Sequence, residues 1–281
     1  MNFLHIHRHA IHVAHVRGLN PKAPVYAMIH GIAAAGVSWL PLARHLAPHA
    51  SRFVLPDLPA HGLSPAPTPP FDVIEAYRLL KNALIQTLDP DDDNVIIGNS
   101  LGGAFALKFC LECPDLVRQC VLISPAGAPF AAAARDVIAP FCPQSIVQTR
   151  DLIGRVFTRP TPATHMLLAP YLRLTTRTRG FRSLMESILE LDTNDDAPLR
   201  QLLFSPQDLQ NLTTHTCLVW GGSDHVLPSD MRNYFDIHLP ASAHRVFPPH
   251  FGHCPQFEHS RELADIIQNF IHSAPCSIFD S

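Results

Sequence analysis

Residues 94–103 carry the sequence Asn-Val-Ile-Ile-Gly-Asn-Ser-Leu-Gly-Gly, in which a short apolar run leads into a serine between glycines. The apolar run is typical of a buried strand, and the small and apolar residues 104–111 are typical of a helix. A serine hydroxyl is a useful nucleophile only when it is lifted clear of the chain and presented to a base. A sharp strand-to-helix turn does this, and it leaves no room for a side chain two residues before or after the serine. Gly98 and Gly102 occupy those positions, so the pattern predicts that Ser100 is the nucleophile of a serine hydrolase built on an α/β sheet.

The rest of the chain alternates between short β-rich runs and helical runs, which predicts a mostly parallel sheet with helices on both faces. Strands are predicted at 25–29, 52–55, 94–97, 117–123, 217–220 and 245–247. Helices are predicted at 37–46, 71–88, 104–111 and from about 256 to 271.

This alternation breaks between Pro125 and about Pro206, where prolines are frequent, no strand is convincing and helical fragments such as 181–191 occur. The apolar content there is too high for a solvated linker. We therefore predict a core made of residues 1–125 and 207–281, with a helical cap, residues 126–206, inserted over the sheet.

Two backbone amides are candidates for holding an oxyanion during acyl transfer. The amide of Leu101 follows the proposed nucleophile at the start of a helix, where the helix dipole adds positive potential. The second donor in such sheets usually comes from a loop after an early strand, and His30-Gly31-Ile32 follows the strand 25–29. The amide of Ile32 is the candidate, and an ordinary strand-to-loop turn is the alternative.

The acid of a Ser-His-Asp set must follow the serine in this kind of sheet. Asp224 comes just after the predicted strand 217–220, at the sheet edge where open α/β sheets place their sites. It would accept a hydrogen bond from the histidine Nδ1 and stabilise the imidazolium. The alternative is a turn or capping aspartate before a helix that begins near Pro228.

The chain contains 18 histidines, so the choice of base rests on position. His253 follows Gly252 in a loop between the last predicted strand and the last helix, which makes it the predicted base. His244 and His250 are the alternatives.

Five segments resemble, in order and spacing, the α/β-hydrolase fold family: His30-Gly31, residues 55–64, residues 98–103, residues 220–224 and Gly252-His253. The resemblance implies an eight-stranded core, a lid or cap after the sixth strand, and a triad of Ser100, Asp224 and His253. It also implies that Asp57 and His61-Gly62 shape a loop rather than perform chemistry. Ala60 departs from the family, which commonly has glycine there, and we expect only a slight change in that loop.

The resemblance leaves three functions open. Residues 124–127 and 220–227 look like those of bacterial esterases and monoacylglycerol-lipase-type members, which favours cleavage of a carboxylic ester. The segments 98–100 and 252–259 also look like those of hydrolases that split carbon–carbon bonds in ring-cleavage products of aromatic compounds. A non-catalytic ligand-binding relative is the remaining alternative.

The predicted cap should set the substrate. Its apolar residues, among them Phe130, Phe141 and Phe157, suit a small molecule with an apolar acyl or aromatic portion. Seven arginines lie between residues 150 and 182, and only Asp151 opposes them. A solvated face is their ordinary interpretation. An inward-pointing arginine would instead hold a substrate carboxylate, and an outward-facing set would suit an anionic membrane surface.

Composition excludes several other classes. Of the 281 residues, 47% are hydrophobic and 16% charged, and the formal net charge is −3, so no basic surplus predicts nucleic-acid binding. No apolar run reaches the roughly 18 residues that a membrane span needs. Residues 1–9 lack the features of a signal peptide, so we expect a cytoplasmic protein, while a homo-oligomer stays open.

We predict no metal and no cofactor. Cys110 and Cys113 form a C-x-x-C pair, but no second pair completes a zinc site, so packed, reduced thiols are expected. His5, His7 and His9 alternate as on one side of a strand, where exposed histidines are the favoured interpretation over a metal site.

Overall fold

Eight strands form a single sheet in the computed structural model, which describes residues 3–5, 11–68, 70–129, 134–190 and 197–273. The strands are β1 (Phe3–His5), β2 (Val13–Arg17), β3 (Val25–Ile29), β4 (Arg52–Pro56), β5 (Asn94–Asn99), β6 (Gln119–Ile123), β7 (His215–Val219) and β8 (His244–Val246). Their order across the sheet is β1-β2-β4-β3-β5-β6-β7-β8. The β1–β2 and β2–β4 pairs are antiparallel and all other pairs are parallel. The predicted eight-stranded, mostly parallel sheet is therefore confirmed.

The first two strands carry no clear strand signal in the sequence. Histidines interrupt their apolar pattern, and both strands form through pairing instead, β2 with β4 and β1 with β2. His5 lies in β1, whereas His7 and His9 lie outside the described residues. Several strand boundaries also differ from the predictions by one or two residues. β6 begins two residues later because a 3₁₀ turn ends at Leu116, β7 begins two residues earlier, and β5 extends two residues further, to Asn99.

Helices cover both faces of the sheet. They are α1 (Leu40–Leu46), α2 (Val73–Thr87), α3 (Leu101–Glu112), α4 (Ala134–Ile138), α5 (Ile146–Val156), α6 (Pro162–Thr175), α7 (Arg179–Leu189), α8 (Pro206–Gln210), α9 (Ser229–His238), α10 (Pro255–Glu258) and α11 (Ser260–Ser273). The last predicted helix is thus two helices, separated at His259, whose φ and ψ of −131° and 36° are not helical. Within the described ranges, no helix has the length and apolar character needed to cross a bilayer.

Successive side chains of a strand point to opposite faces of the sheet, so one sheet packs against a separate apolar core on each face. In β3, Val25, Ala27 and Ile29 pack on the side of α2 and α3. Tyr26 and Met28 pack on the opposite side with α1 and α11. All five are buried, as expected for a strand covered on both faces.

Helices α4 to α8 lie between the sixth and seventh strands, and we call this segment the helical insertion. Side-chain hydrogen bonds attach it to the segment around the start of α2. Ser183 Oγ lies 3.2 Å from both the amide nitrogen and the carbonyl oxygen of Phe71, accepting from the first and donating to the second. Ser187 Oγ accepts from the amide of Val73 at 3.2 Å. The insertion is therefore packed on the core rather than tethered to it.

The six described cysteines are free thiols, and Cys276 lies outside the described residues. Cys110, Cys120 and Cys217 are buried against the sheet. Burial raises the pKa of Cys217 to about 12 and raises that of Cys120 as well. Such thiols act as small apolar core residues.

Candidate active site

Ser100 lies in the sharp turn between β5 and α3. Its φ of 57° and ψ of −121° fall outside the ordinary regions for a residue with a side chain. A Cβ on Gly98 would lie 2.2 Å from the carbonyl oxygen of Gly102, and one on Gly102 would lie 2.2 Å from that of Ile29. The close backbone approach therefore requires glycine two residues before and two residues after Ser100, as the sequence pattern predicts.

Asp224 and His253 are joined by a short hydrogen bond. His253 Nδ1 lies 2.9 Å from Asp224 Oδ2, and the two side chains are 3% and 2% exposed. The other carboxylate oxygen accepts from the amides of Val226 at 2.8 Å and Leu227 at 3.1 Å. Burial alone would raise the pKa of Asp224, but the charge and hydrogen bond of His253, together with these amides, lower it. The carboxylate is therefore ionised and accepts the Nδ1 proton, which leaves Nε2 as the ring nitrogen available for proton transfer.

Ser100 and His253 line one cavity of about 250 Å³. The three candidate residues follow β5, β7 and β8, so all come from the carboxyl ends of parallel strands. The alternative bases lie elsewhere: His250 pairs with Glu262 at 2.9 Å, and the His244 ring contacts Phe270. Among the described residues that line this cavity, His253 is the only histidine.

A second, smaller cavity of about 50 Å³ adjoins Ser100 on another side, and both candidate oxyanion residues, Ile32 and Leu101, line it. Leu101 is the first residue of α3, and the first amides of a helix have no acceptor within it. Ile32 lines the larger cavity too. Both residues therefore adjoin the proposed nucleophile, while their oxyanion role stays a prediction.

Two buried histidines fix the loop that carries Ile32. His30 Nε2 accepts from the amide of Leu58 at 3.0 Å, and His61 Nε2 accepts from the amide of Ala33 at 3.0 Å. Their Nδ1 atoms lie 2.8 Å and 2.9 Å from carbonyl oxygens, to which they donate. Burial lowers the pKa of both rings, that of His61 to about 3. Both histidines are therefore neutral and join the loop after β3 to the loop after β4.

Asp57 is the centre of that second loop. Its carboxylate accepts from the amides of Gly36 at 2.6 Å and Leu63 at 2.9 Å, and His12 Nδ1 lies 2.9 Å from it. Gly62 has a φ of 54°, and a Cβ there would lie 2.4 Å from the Asp57 carboxyl group. Ala60 keeps the same left-handed region with a φ of 65°. The loop thus has the structural character that the resemblance implies, and it keeps its turn despite the alanine.

Asn99 was not identified from the sequence as a site residue. Its Nδ2 donates to the carbonyl oxygens of Ile123 at 3.1 Å and His253 at 3.0 Å, and its Oδ1 accepts from Gln256 Nε2 at 3.1 Å. Asn99 therefore ties the loop of His253 to the turn of Ser100. Its position beside the serine is a local signal, but two of its three partners, His253 and Gln256, lie more than 150 residues away in the chain.

The helical insertion supplies much of the apolar wall of the larger cavity, through Phe141, Leu152, Ile153, Val156, Phe157, Leu168, Tyr171 and Leu172. Phe130 lies outside the described residues. Arg150, Arg173 and Arg177 instead line a separate outer groove of about 1030 Å³ on α5 and α6. The described residues that line the two cavities beside Ser100 include no arginine and no lysine.

The model of the alpha/beta hydrolase fold family matches residues 27–260. Lipase LipV of Mycobacterium tuberculosis H37Rv is 36% identical over 127 residues, which cover 44% of this chain and less than half (46%) of LipV. The 2-hydroxy-6-oxo-6-phenylhexa-2,4-dienoate hydrolase of Burkholderia cepacia is 24% identical over 260 residues, covering 87% of this chain and 86% of that protein. The solved structure of the serine hydrolase CCSP0084 from the polyaromatic hydrocarbon-degrading bacterium Cycloclasticus zankles matches with a TM-score of 0.81 and 20% identity, covering 100% of this chain and 99% of that one. Because the family model spans most of the chain, the protein belongs to the alpha/beta hydrolase fold family.

Proposed function

We propose that the protein is a serine hydrolase that cleaves a carboxylic ester with an apolar acyl portion. The observation that carries this proposal is the arrangement of Ser100 and His253 on one cavity, with His253 bonded to the buried, ionised Asp224. A positioned hydroxyl, an imidazole and an orienting carboxylate together make a nucleophile that attacks a carbonyl carbon.

In the proposed reaction, His253 Nε2 takes the proton of Ser100 Oγ as the oxygen attacks the ester carbonyl. The amides of Ile32 and Leu101 hold the oxyanion, each contributing about 3 to 4 kcal/mol to the barrier reduction. The C–O bond then breaks, and the imidazolium gives its proton to the leaving alcohol. Water, deprotonated by the same imidazole, releases the acid and restores Ser100. No metal or organic cofactor takes part in these steps.

The lining of the cavities favours a neutral substrate over an anionic one. Their walls are mostly aliphatic and aromatic, and no cationic side chain among the described lining residues faces a substrate carboxylate. A carboxylate moved from water into such a cavity without a partner would lose several kcal/mol or more of hydration free energy. We propose that residues 126–206 act as the cap that supplies the acyl-binding walls.

Cleavage of a carbon–carbon bond is the second candidate. The Burkholderia cepacia relative that spans most of the chain is named as a hydrolase of a dienoate, which is a carboxylate. Its similarity favours this candidate, while the absence of a cation from the described lining residues weighs against it.

A substrate panel distinguishes the two candidates. We expect turnover of p-nitrophenyl esters from acetate to octanoate, with Ser100→Ala lowering kcat to near the background rate. Cleavage of a vinylogous diketo acid without turnover of any ester would overturn the ester proposal. A fluorophosphonate probe should label the wild-type protein and not Ser100→Ala, and failure of labelling in the folded wild-type protein would support a non-catalytic binding role.

A further inference from the structure

Three side chains with metal-binding atoms converge on the surface beside the loop of His253. The nitrogen and oxygen atoms of His250, His259 and Glu262 that are able to bind a metal lie within 4.8 Å of one another. His250 Nε2 is 2.9 Å from Glu262 Oε2, and the two imidazole rings are 4.9 Å apart at their centroids. None of the three takes part in the proposed reaction.

These residues come from three neighbouring pieces of backbone that the fold holds in place. His250 lies in the loop after β8, His259 lies at the break between α10 and α11, and Glu262 lies in the first turn of α11. The ring of His259 stacks on the buried ring of Phe251, at 5.0 Å and 15°. This stacking limits the orientations of one candidate ligand before any ion arrives.

The surroundings of the cluster suit a cation. A surface hollow of about 360 Å³ adjoins it, lined by His259 and Glu262 together with Glu258, Ser260, Arg261 and Asp265. The residues that line the hollow thus include three acidic residues and one arginine, although the Glu258 carboxylate is already hydrogen-bonded to Thr158 and Arg159. His250 and Glu262 are about half exposed, at 50% and 48%, so an ion reaches them directly from solvent.

We propose that His250, His259 and Glu262 form a binding site for a divalent transition-metal ion of the zinc class. Two imidazole nitrogens and one carboxylate oxygen are one of the three-ligand sets found in open tetrahedral zinc sites, with water as the fourth ligand. The carboxylate exchanges its hydrogen bond with His250 for a bond to the ion, and both imidazoles bind in their neutral form.

A bound ion would join the loop after β8 to the start of α11. His250 is three residues from His253, so this bridge restrains the segment that carries the proposed base. The site is separate from the proposed reaction, and its test does not depend on ester cleavage.

Titration of the full-length, EDTA-treated protein with zinc chloride in a calorimeter tests the proposal. We expect one site with a Kd in the micromolar range and a rise in Tm on adding zinc, since an ion that binds only the folded state stabilises it. His250→Gln and Glu262→Gln should each weaken binding at this site at least tenfold. Asp265→Asn is the matched control, because it removes a carboxylate from the same hollow without removing a ligand, and it should keep the wild-type Kd within about twofold.

The visible absorption of bound cobalt(II) gives a second test, because it depends on the ligands of the ion and not on general electrostatic attraction. The wild-type protein should give the intense visible absorption of a four-coordinate cobalt ion, and His259→Gln should not. If zinc binding is absent at millimolar concentration, or if Asp265→Asn weakens it as much as Glu262→Gln, the cluster is an ion pair with stacked rings only and the proposal is wrong.

Discussion

Among single residues, Asp224 carries the sharpest prediction because its two carboxylate oxygens have separate partners. Oδ1 is held by the amides of Val226 and Leu227, and Oδ2 faces His253 Nδ1. In Asp224→Asn the amide oxygen can still accept from the backbone, while the NH₂ group forces His253 into the wrong tautomer. We expect kcat for a p-nitrophenyl ester to fall by about 10³- to 10⁴-fold with the fold intact. Asp230→Asn, at an exposed aspartate on α9, should leave kcat unchanged.

The same carboxylate makes stability depend on pH. Its pKa is lowered in the folded protein, so its contribution to the free energy of unfolding is present above its ordinary pKa of about 3.9 and is lost as pH falls through the lower, folded value. The stability difference between the wild-type protein and Asp224→Asn should therefore change in favour of the variant between pH 5 and pH 3. Urea unfolding at both pH values measures it, and a difference that favours the wild-type protein more strongly at pH 3 would contradict this sign.

Replacing glycine by alanine should have opposite effects on stability at Gly62 and at Gly154. In Gly62→Ala the new Cβ meets the buried Asp57 carboxyl group at 2.4 Å, with φ at 54°. Left-handed strain of about 1 to 2 kcal/mol and disturbed hydrogen bonds to Asp57 should lower the free energy of unfolding by at least about 2 kcal/mol. Gly154 lies in α5 with nothing within 4 Å of an added Cβ, so Gly154→Ala should raise stability by about 0.5 to 1 kcal/mol. Denaturant unfolding of both variants tests the pair, and destabilisation by both would show that the Asp57 contact is not the cause.

At the scale of whole elements, Glu258 attaches the helical insertion to α10. Its carboxylate accepts from Thr158 N at 3.1 Å, Thr158 Oγ1 at 2.9 Å and Arg159 N at 3.1 Å, all in the loop between α5 and α6. A Cβ on Gly252 would lie 2.7 Å from Thr158 Cγ2, so this loop also rests on the residue before His253.

Loosening that attachment should affect substrate binding before chemistry. Phe157, the first residue of this loop, lines the larger cavity, whereas the bond between His253 and Asp224 does not involve the loop. In Glu258→Gln one acceptor oxygen becomes an NH₂ group, so we expect KM to rise several-fold while kcat changes less than twofold. Glu186→Gln, at an exposed glutamate on α7, should change neither. A fall in kcat at constant KM would mean that Glu258 acts through His253 instead.

Elements also differ in how far the sequence alone predicts them. Local signals predict the strands β3 to β8 and the positions of Ser100 and Asp224. These signals are apolar runs, glycine spacing and chain order. The strand β2 depends on pairing with β4, and β1 depends on pairing with β2, and neither pairing is visible in a single segment. The roles of Asn99 and Glu258 likewise arise from partners about 100 residues or more away, so the sequence shows the residues but not the contacts.

For the molecule as a whole, the sheet and the helical insertion contribute different parts of the site. The candidate catalytic side chains all follow strands of the sheet, and the insertion provides most of the apolar wall. Helix α6 separates two environments: Leu168 and Leu172 face the cavity of Ser100, while Arg173 and Met166 line the outer groove. Arg150 of α5 and Arg173 of α6, which line the outer groove, therefore lie outside the cavity in which the ester is proposed to bind.

This division predicts that opposite faces of α6 respond differently to the same substitution. Leu168→Ala removes part of the cavity wall, so kcat/KM should shift toward longer acyl chains, rising relative to wild type for p-nitrophenyl octanoate and staying within about twofold for the acetate. Met166 is 70% exposed on the other side of the helix, and Met166→Ala should leave the chain-length profile unchanged. Because each substitution places an alanine in the same helix, any effect through helix propensity alone would be alike in both. A shifted profile in Met166→Ala, or an unshifted one in Leu168→Ala, would show that the wall of the acyl site lies elsewhere.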